Sequence, residues 1–201
     1  DLDDIPLIMN SDQILELFRD AGALSFGHFR LSSGLHSQGY LQCAQVLQHP
    51  SHARTLGETI AARAGVWDPV TVLSPAMGGV VIGHEVAHGL NVRAIFAERT
   101  AGDLSLRRGF VLVPGERVLV VEDVITTGKS TRETIELARQ AGAEVVGAAA
   151  IIDRGSGTEL EVPWFALARV ELPTYDPGRC PLCQSKTPLV KPGSRPDSNS
   201  R

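Results

Sequence analysis

Residues 118–131 read VLVVEDVITTGKST. Val118, Leu119, Val120 and Val121 form an unbroken apolar run dominated by β-branched side chains, the pattern of a strand buried on both faces. Two adjacent acids, Glu122 and Asp123, follow it. Carboxylates at the end of a buried strand are costly unless they meet a polar partner. After Val124 and Ile125 come Thr126, Thr127, Gly128, Lys129, Ser130 and Thr131, a hydroxyl-rich turn at the head of a helix expected over 130–141. Main-chain amides and the helix dipole make such a turn an anion site. The acids suit sugar hydroxyls or a metal and the amides suit a phosphate; a ribose 5-phosphate carries both features. Ser130 and Glu133 also have capping-box spacing, so an ordinary capped helix is the plainer alternative, although a cap requires neither the acids nor the two threonines.

The rest of the chain bounds this reading. Its 201 residues, 43% of them hydrophobic, suit one α/β domain with a real core. A net charge of −4 provides no broad basic field for nucleic acid. No apolar run is long enough to span a bilayer. The start, Asp1-Leu2-Asp3-Asp4, is the opposite of a signal peptide, and three cysteines do not suit a secreted disulfide scaffold. A cytosolic protein is expected.

Taken in order, a helix is expected over 11–21, capped by Ser11 and stopped by Gly22. Residues 26–43, FGHFRLSSGLHSQGYLQC, alternate around a Ser-Ser-Gly turn and predict a hairpin, which without further information is most simply a solvated turn. A helix over 51–64, a strand over 70–73, the turn Ser74-Pro75-Ala76-Met77-Gly78-Gly79 and a helix over 80–90 come next. That turn is a second backbone anion cradle, or simply a helix start that needs small residues. After a strand over 92–97, residues 98–109, ERTAGDLSLRRG, have the composition of a mobile, charged surface loop. A strand over 110–113 is expected to close it. Strand, helix and strand at 118–121, 130–141 and 144–152 make a parallel crossover, and 164–172 alternates as a further strand. Cys180-Pro181-Leu182-Cys183 supplies only two metal ligands, so a reduced structural turn is favoured over a metal site, which would need Cys43, a histidine or a second chain. Residues 191–201, rich in Pro, Ser and charge, are expected to be mobile.

The run from Glu122 to Ser130 resembles the phosphoribosyl pyrophosphate (PRPP) loop of type I phosphoribosyltransferases. Phe26, Phe29, Ser33-Gly34, His36-Ser37 and Tyr40 resemble, in order, the N-terminal hood of the orotate phosphoribosyltransferase family. The resemblance spans about residues 10–175. It implies an α/β fold with a mostly parallel central sheet flanked by helices and a small hood. It divides the chain into 1–45 (helix and hood), 46–175 (core) and 176–201 (CxxC tail).

The resemblance also implies an activity: transfer of the phosphoribosyl group of PRPP to orotate, giving orotidine 5′-monophosphate and pyrophosphate in pyrimidine biosynthesis. Glu122 and Asp123 would hold the ribose hydroxyls. PRPP would lie against Glu122, Asp123, Val124, Ile125, Thr126, Thr127, Gly128, Lys129 and Ser130, and its pyrophosphate against Ala76, Met77 and Gly78. Thr126, Arg154, Phe29 and His36 would contact orotate. Arg99, Arg107 and Arg108 would meet the leaving pyrophosphate from a loop that, in the family, crosses a homodimer interface. Mg²⁺ would be held mainly by PRPP and water, with no direct protein ligand. Three positions where family members often carry lysine are His36, Gly78 and Thr100 here. The alternatives are a purine phosphoribosyltransferase, which would lack the hood pattern, and a PRPP-binding regulator without turnover.

Overall fold

The apolar run at 118–121 lies in β6 (Arg117–Ile125), near the middle of a six-stranded sheet in the computed structural model, which describes residues 8–31, 33–155 and 158–192. Its neighbours β3 (Thr71–Pro75) and β7 (Glu144–Asp153) run parallel to it. Parallel pairing continues outward to β4 (Arg93–Thr100) and β8 (Trp164–Arg169), and β5 (Asp103–Leu106) adds an antiparallel edge. The order is β5-β4-β3-β6-β7-β8. This is the expected α/β architecture with a mostly parallel sheet.

The absence of polar residues from 118–121 has a direct cause. Leu119 and Val121 enter one core with Leu56 and Ile60 of α3 (Pro50–Ala64) and Ile82 and Val86 of α4 (Gly78–Leu90). Val118 and Val120 point the other way, into clusters with Ala138 and Ile135 of α5 (Lys129–Gln140). All four side chains are fully buried. A strand covered on both faces has no position at which a polar residue would be solvated. β6 continues through the two acids because β7 keeps pairing with it, Glu122 opposite Ala150 and Ile125 opposite Asp153.

Several boundaries differ from expectation. Asn10, not Ser11, caps α1 (Ser11–Asp20): Gln13 N–H donates to Asn10 Oδ1 at 3.0 Å and Asn10 N–H to Gln13 Oε1 at 2.9 Å. Residues 98–109 are not simply a loop. β4 runs on to Thr100, turns at Ala101 and Gly102, both at positive φ, and returns as β5. Leu104 and Leu106 pack against the cluster of Ile95, Ala97 and Leu112, so the hairpin has an apolar underside that its charged composition conceals. Residues 110–113 form no strand. A short helix, α2 (Ala44–Leu47), was not foreseen.

The hood is a second sheet. β1 (Leu24–Arg30) and β2 (His36–Leu41) pair antiparallel around the Ser33-Gly34 turn, with a register shift between Phe26 and Phe29. The tail then adds to both edges, β9 (Thr174–Tyr175) antiparallel to β2 and β10 (Leu189–Val190) parallel to β1. Between them lies the short helix α6 (Pro181–Gln184). The expectation of a mobile segment at 191–201 falls outside the described residues for 193–201. Among the described residues no helix is long and apolar enough to cross a membrane.

α3 and α4 approach closely at glycine. A Cβ built on Gly57 would lie 2.5 Å from Glu85 Cβ and 2.7 Å from its carbonyl carbon. Gly57→Ala should therefore cost about 1–3 kcal/mol as a lowered denaturation midpoint. Gly65→Ala, whose nearest new neighbour would be 3.8 Å away, should stay within about 0.5 kcal/mol of the parent.

Candidate active site

From β3 the chain passes through α4 to β4 on one side; from β6 it passes through α5 to β7 on the other. The crevice at the carboxyl ends of β3 and β6 is thus the point at which the strand order reverses, where open α/β sheets bind ligands. Two loops meet there: Ala76, Met77 and Gly78 after β3, and Thr126, Thr127 and Gly128 after β6.

The acids are partly buried and unevenly supported. Glu122 Oε2 accepts a short hydrogen bond from Thr131 Oγ1. Its carboxyl is nevertheless pushed up to about 7: burial outweighs the Thr131 bond, and the neighbouring Asp123 charge adds to the rise. Asp123 is also raised by burial, against the opposing pull of amides such as Val124 N–H, 2.9 Å from Oδ1. The cleft thus holds two carboxyls with few protein donors, a favourable environment for a ligand bearing vicinal hydroxyls.

Gly78 explains the absence of a side chain opposite them. A Cβ there would lie 2.7 and 2.8 Å from the two Asp123 carboxylate oxygens. The start of α4 can approach Asp123 this closely only as bare backbone, and that leaves the first amides of the helix without intrahelical acceptors. At Gly79 a Cβ would meet Val121 O at 2.9 Å, so the same constraint continues one residue on. The loop is anchored at its root, where Ala76 N–H donates to Ala97 O at 2.8 Å. Met77 is 82% exposed.

The second loop is tied by its carbonyls. Arg132 Nη2 donates to Thr127 O at 2.6 Å and Thr158 Oγ1 to Thr126 O at 2.9 Å. Gly128, at φ +71, turns the chain into α5, whose opening amides likewise lack intrahelical acceptors. Arg132 and Thr158 were not foreseen, and nothing in their spacing marks them. Thr131 was within the quoted stretch, but its service to Glu122 depends on the first turn of α5 packing back onto β6.

Beside this loop is a cavity of about 480 Å³ lined by Thr126, Thr127, Arg154, Gly155, Glu171, Leu172, Pro173 and Thr174. Arg154 is half-buried; its Nη2 reaches Leu172 O at a long 3.5 Å, and its buried Nε has no hydrogen-bond partner among the described residues. Burial lowers its pKa from the usual arginine range. An incompletely paired guanidinium in a cavity favours a planar anion. The hood supplies part of the wall through β9, for Ser37 Oγ donates to Pro173 O at 3.1 Å.

The hood and the 98–109 segment carry most of the remaining expected residues. Phe29 packs against Tyr40, ring centroids 5.9 Å apart. His36 is buried, its Nδ1 2.9 Å from His28 Nε2 and 3.2 Å from Cys183 Sγ. Arg99 pairs with Glu133 of α5, and Arg108 makes a two-pronged pair with Glu98 at 2.8 and 2.9 Å. Arg107 lies on the same hairpin and adds its charge to Glu98. Cys43 is core: its buried thiol is pushed well up, and its Sγ lies 3.8 Å from Asp123 O.

Residues 42–167 match the phosphoribosyl transferase domain family. The chain is 51% identical to the orotate phosphoribosyltransferase of Heliobacterium modesticaldum, over 93% of this chain and all of that one. It is 49% identical to that of Thermotoga maritima, over 90% of this chain and 98% of the relative. Among solved structures, orotate phosphoribosyltransferase from Aeropyrum pernix aligns with a TM-score of 0.67 at 25% identity, covering 78% of this chain and 93% of that one. An adenine phosphoribosyltransferase from Thermoanaerobacter pseudethanolicus shares the fold at a TM-score of 0.58 and 16% identity, covering 65% and 88% of the two chains.

The raised Glu122 pKa fixes a pH signature. The folded state favours the protonated carboxyl, so this group's contribution to stability is full below its ordinary value of 4.5 and is lost as pH rises towards about 7. Without ligand, the loss should reach up to about 3 kcal/mol. Thermal denaturation of Glu122→Gln across that range should show a correspondingly flatter pH profile than the parent protein.

Proposed function

This chain belongs to the orotate phosphoribosyltransferase family, and on that footing we propose that it transfers the phosphoribosyl group of PRPP to orotate, releasing pyrophosphate. The supporting observation is the placement of Arg154, incompletely paired, in one cavity with the threonines of the loop that follows the acids. A base bearing a carboxylate can meet Arg154 there while a phosphorylated ribose occupies the switch point. A purine has no carboxylate to offer it.

In this reading Glu122 and Asp123 accept from the 2′- and 3′-hydroxyls, and ribose binding adds donors to those of Thr131 and the Val124 amide. The amides of Thr126 to Ser130 take the 5′-phosphate, and those at Met77 and Gly78, beyond the anchored Ala76 amide, face the pyrophosphate. The orotate nitrogen gives up its proton to solvent and forms the bond to the anomeric carbon as the carbon–oxygen bond to pyrophosphate breaks, the electron pair of that bond leaving with the oxygen. The transition state has oxocarbenium character, as in glycosyl transfer, so the protein's work is to hold geometry and charge. Mg²⁺ would be held mainly by substrate oxygens and water beside the two carboxylates, Glu122 and Asp123, and would neutralise charge on the leaving group. Arg99, Arg107 and Arg108 would serve the same end once the hairpin gives up its ion pairs with Glu133 and Glu98.

Two exposed apolar side chains, Phe26 at 63% and Met77 at 82%, are consistent with a homodimer whose copies complete each other's sites in the cytosol. Light scattering should return twice the chain mass.

Incubation with PRPP and Mg²⁺ should consume orotate, followed by its absorbance, and leave hypoxanthine, xanthine and adenine untouched; turnover of a purine alone would overturn the reading. Arg154→Ala should raise the KM for orotate about ten- to a hundredfold with a smaller effect on that for PRPP. Asp123→Asn should lower kcat far more than Glu159→Gln, a change at an exposed side chain.

A further inference from the structure

The tail carries a motif that the reaction leaves unused. The structure folds Cys180 and Cys183 onto the hood hairpin, where they meet His28 of β1 and His36 of β2. One donor atom from each of these four residues lies within 4.8 Å of all the others. His28 Nε2 is 2.9 Å from His36 Nδ1, 3.5 Å from Cys180 Sγ and 3.7 Å from Cys183 Sγ, and His36 Nδ1 is 3.2 Å from Cys183 Sγ. A tetrahedral zinc with two sulfur and two nitrogen ligands separates its donors by about 3.3–3.8 Å. Of these four separations three fall in or next to that range and the nitrogen pair is closer, while the remaining two pairs, His36–Cys180 and Cys180–Cys183, lie within 4.8 Å. We propose that His28, His36, Cys180 and Cys183 bind one zinc ion that clips the tail to the hood.

A second observation supports ligation over simple packing. His28 Nδ1 lies 2.8 Å from Thr187 O. A carbonyl only accepts, so Nδ1 is the donor and Nε2 is the nitrogen left to face inward as a ligand. This is the backbone-oriented imidazole typical of zinc sites. His28, His36 and Cys180 are 2%, 5% and 1% exposed, and polar groups confined in this way need a shared partner. Two thiolates and two imidazoles at the corners of a compact tetrahedron select zinc over magnesium or calcium, which prefer oxygen. The location gives the metal a purpose. β9 and β10 are only two residues long, too short to hold the tail by pairing alone, and a metal compensates where a core is small. The clip lies next to the β2–β9 pairing that forms part of the cavity wall, and it is separate from any magnesium that arrives with substrate.

The test uses the full chain, expressed with zinc and purified under reducing conditions. Elemental analysis should give about one zinc per chain. Replacement by cobalt should produce the visible absorption of a tetrahedral cobalt–thiolate centre. Chelation should lower the Tm and expose the segment after Val170 to protease, and zinc but not magnesium should reverse both effects. Cys183→Ser should lose most of the metal, whereas His84→Gln, at an exposed histidine, should retain it. Should Cys183→Ser fail to fold, the cobalt spectrum of the parent protein decides. Zinc well below one per chain with no cobalt–thiolate spectrum, or recovery of Cys180 and Cys183 as a disulfide under these conditions, would overturn the proposal.

Discussion

The structure turns on the cost of placing two adjacent carboxylates at the end of a doubly covered strand. Neither Glu122 nor Asp123 is neutralised by a cation of the sheet. Their protein donors are few: Thr131 for one, the Val124 amide for the other. Burial raises both, so ionising them in the cleft is unfavourable, and donors brought by a hydroxylated ligand would offset that cost. Gly78 completes the arrangement by letting a helix start approach without a side chain. At position 78 any side chain would begin with a Cβ against the Asp123 carboxylate.

Much of this was legible from residue order. The fourfold apolar run, the acid pair and the Thr-Gly turn each reflect a local rule: burial on both faces, charge at a strand end, amides at a helix start. Those rules act over a few residues, so the central strand, the flanking helices and the phosphate loop could be read directly. The hairpin at 98–109 was misread because composition reports the exposed face. Leu104 and Leu106 are two residues among many polar ones, yet they decide that the segment folds down onto Ile95 and Ala97.

The hood and tail lie beyond local rules altogether. The His28–Cys180 and His36–Cys183 contacts span about 150 residues of chain, with separations of 152 and 147, and no periodicity encodes them. Phe29 and His36 are neighbours in the hairpin, but their side chains differ in commitment: Phe29 packs on Tyr40, while His36 faces the cysteines. Sequence resemblance can place both near a ligand; only the fold reveals that one ring is already engaged.

Glu133 has an implication for how the cleft is served. It lies one turn into α5 and draws on two cations, Arg99 from the hairpin and Lys129 from the phosphate loop, 3.7 Å away. Both pairs are partly exposed, so dissolved ions weaken them readily. Without Arg99, Glu133 would keep Lys129 alone, so the two pairs tie the charge of the phosphate loop to that of the hairpin. Arg99 is held on a carboxylate whose grip depends on ionic strength, and the electrolyte around the protein sets how firmly hairpin and helix are joined.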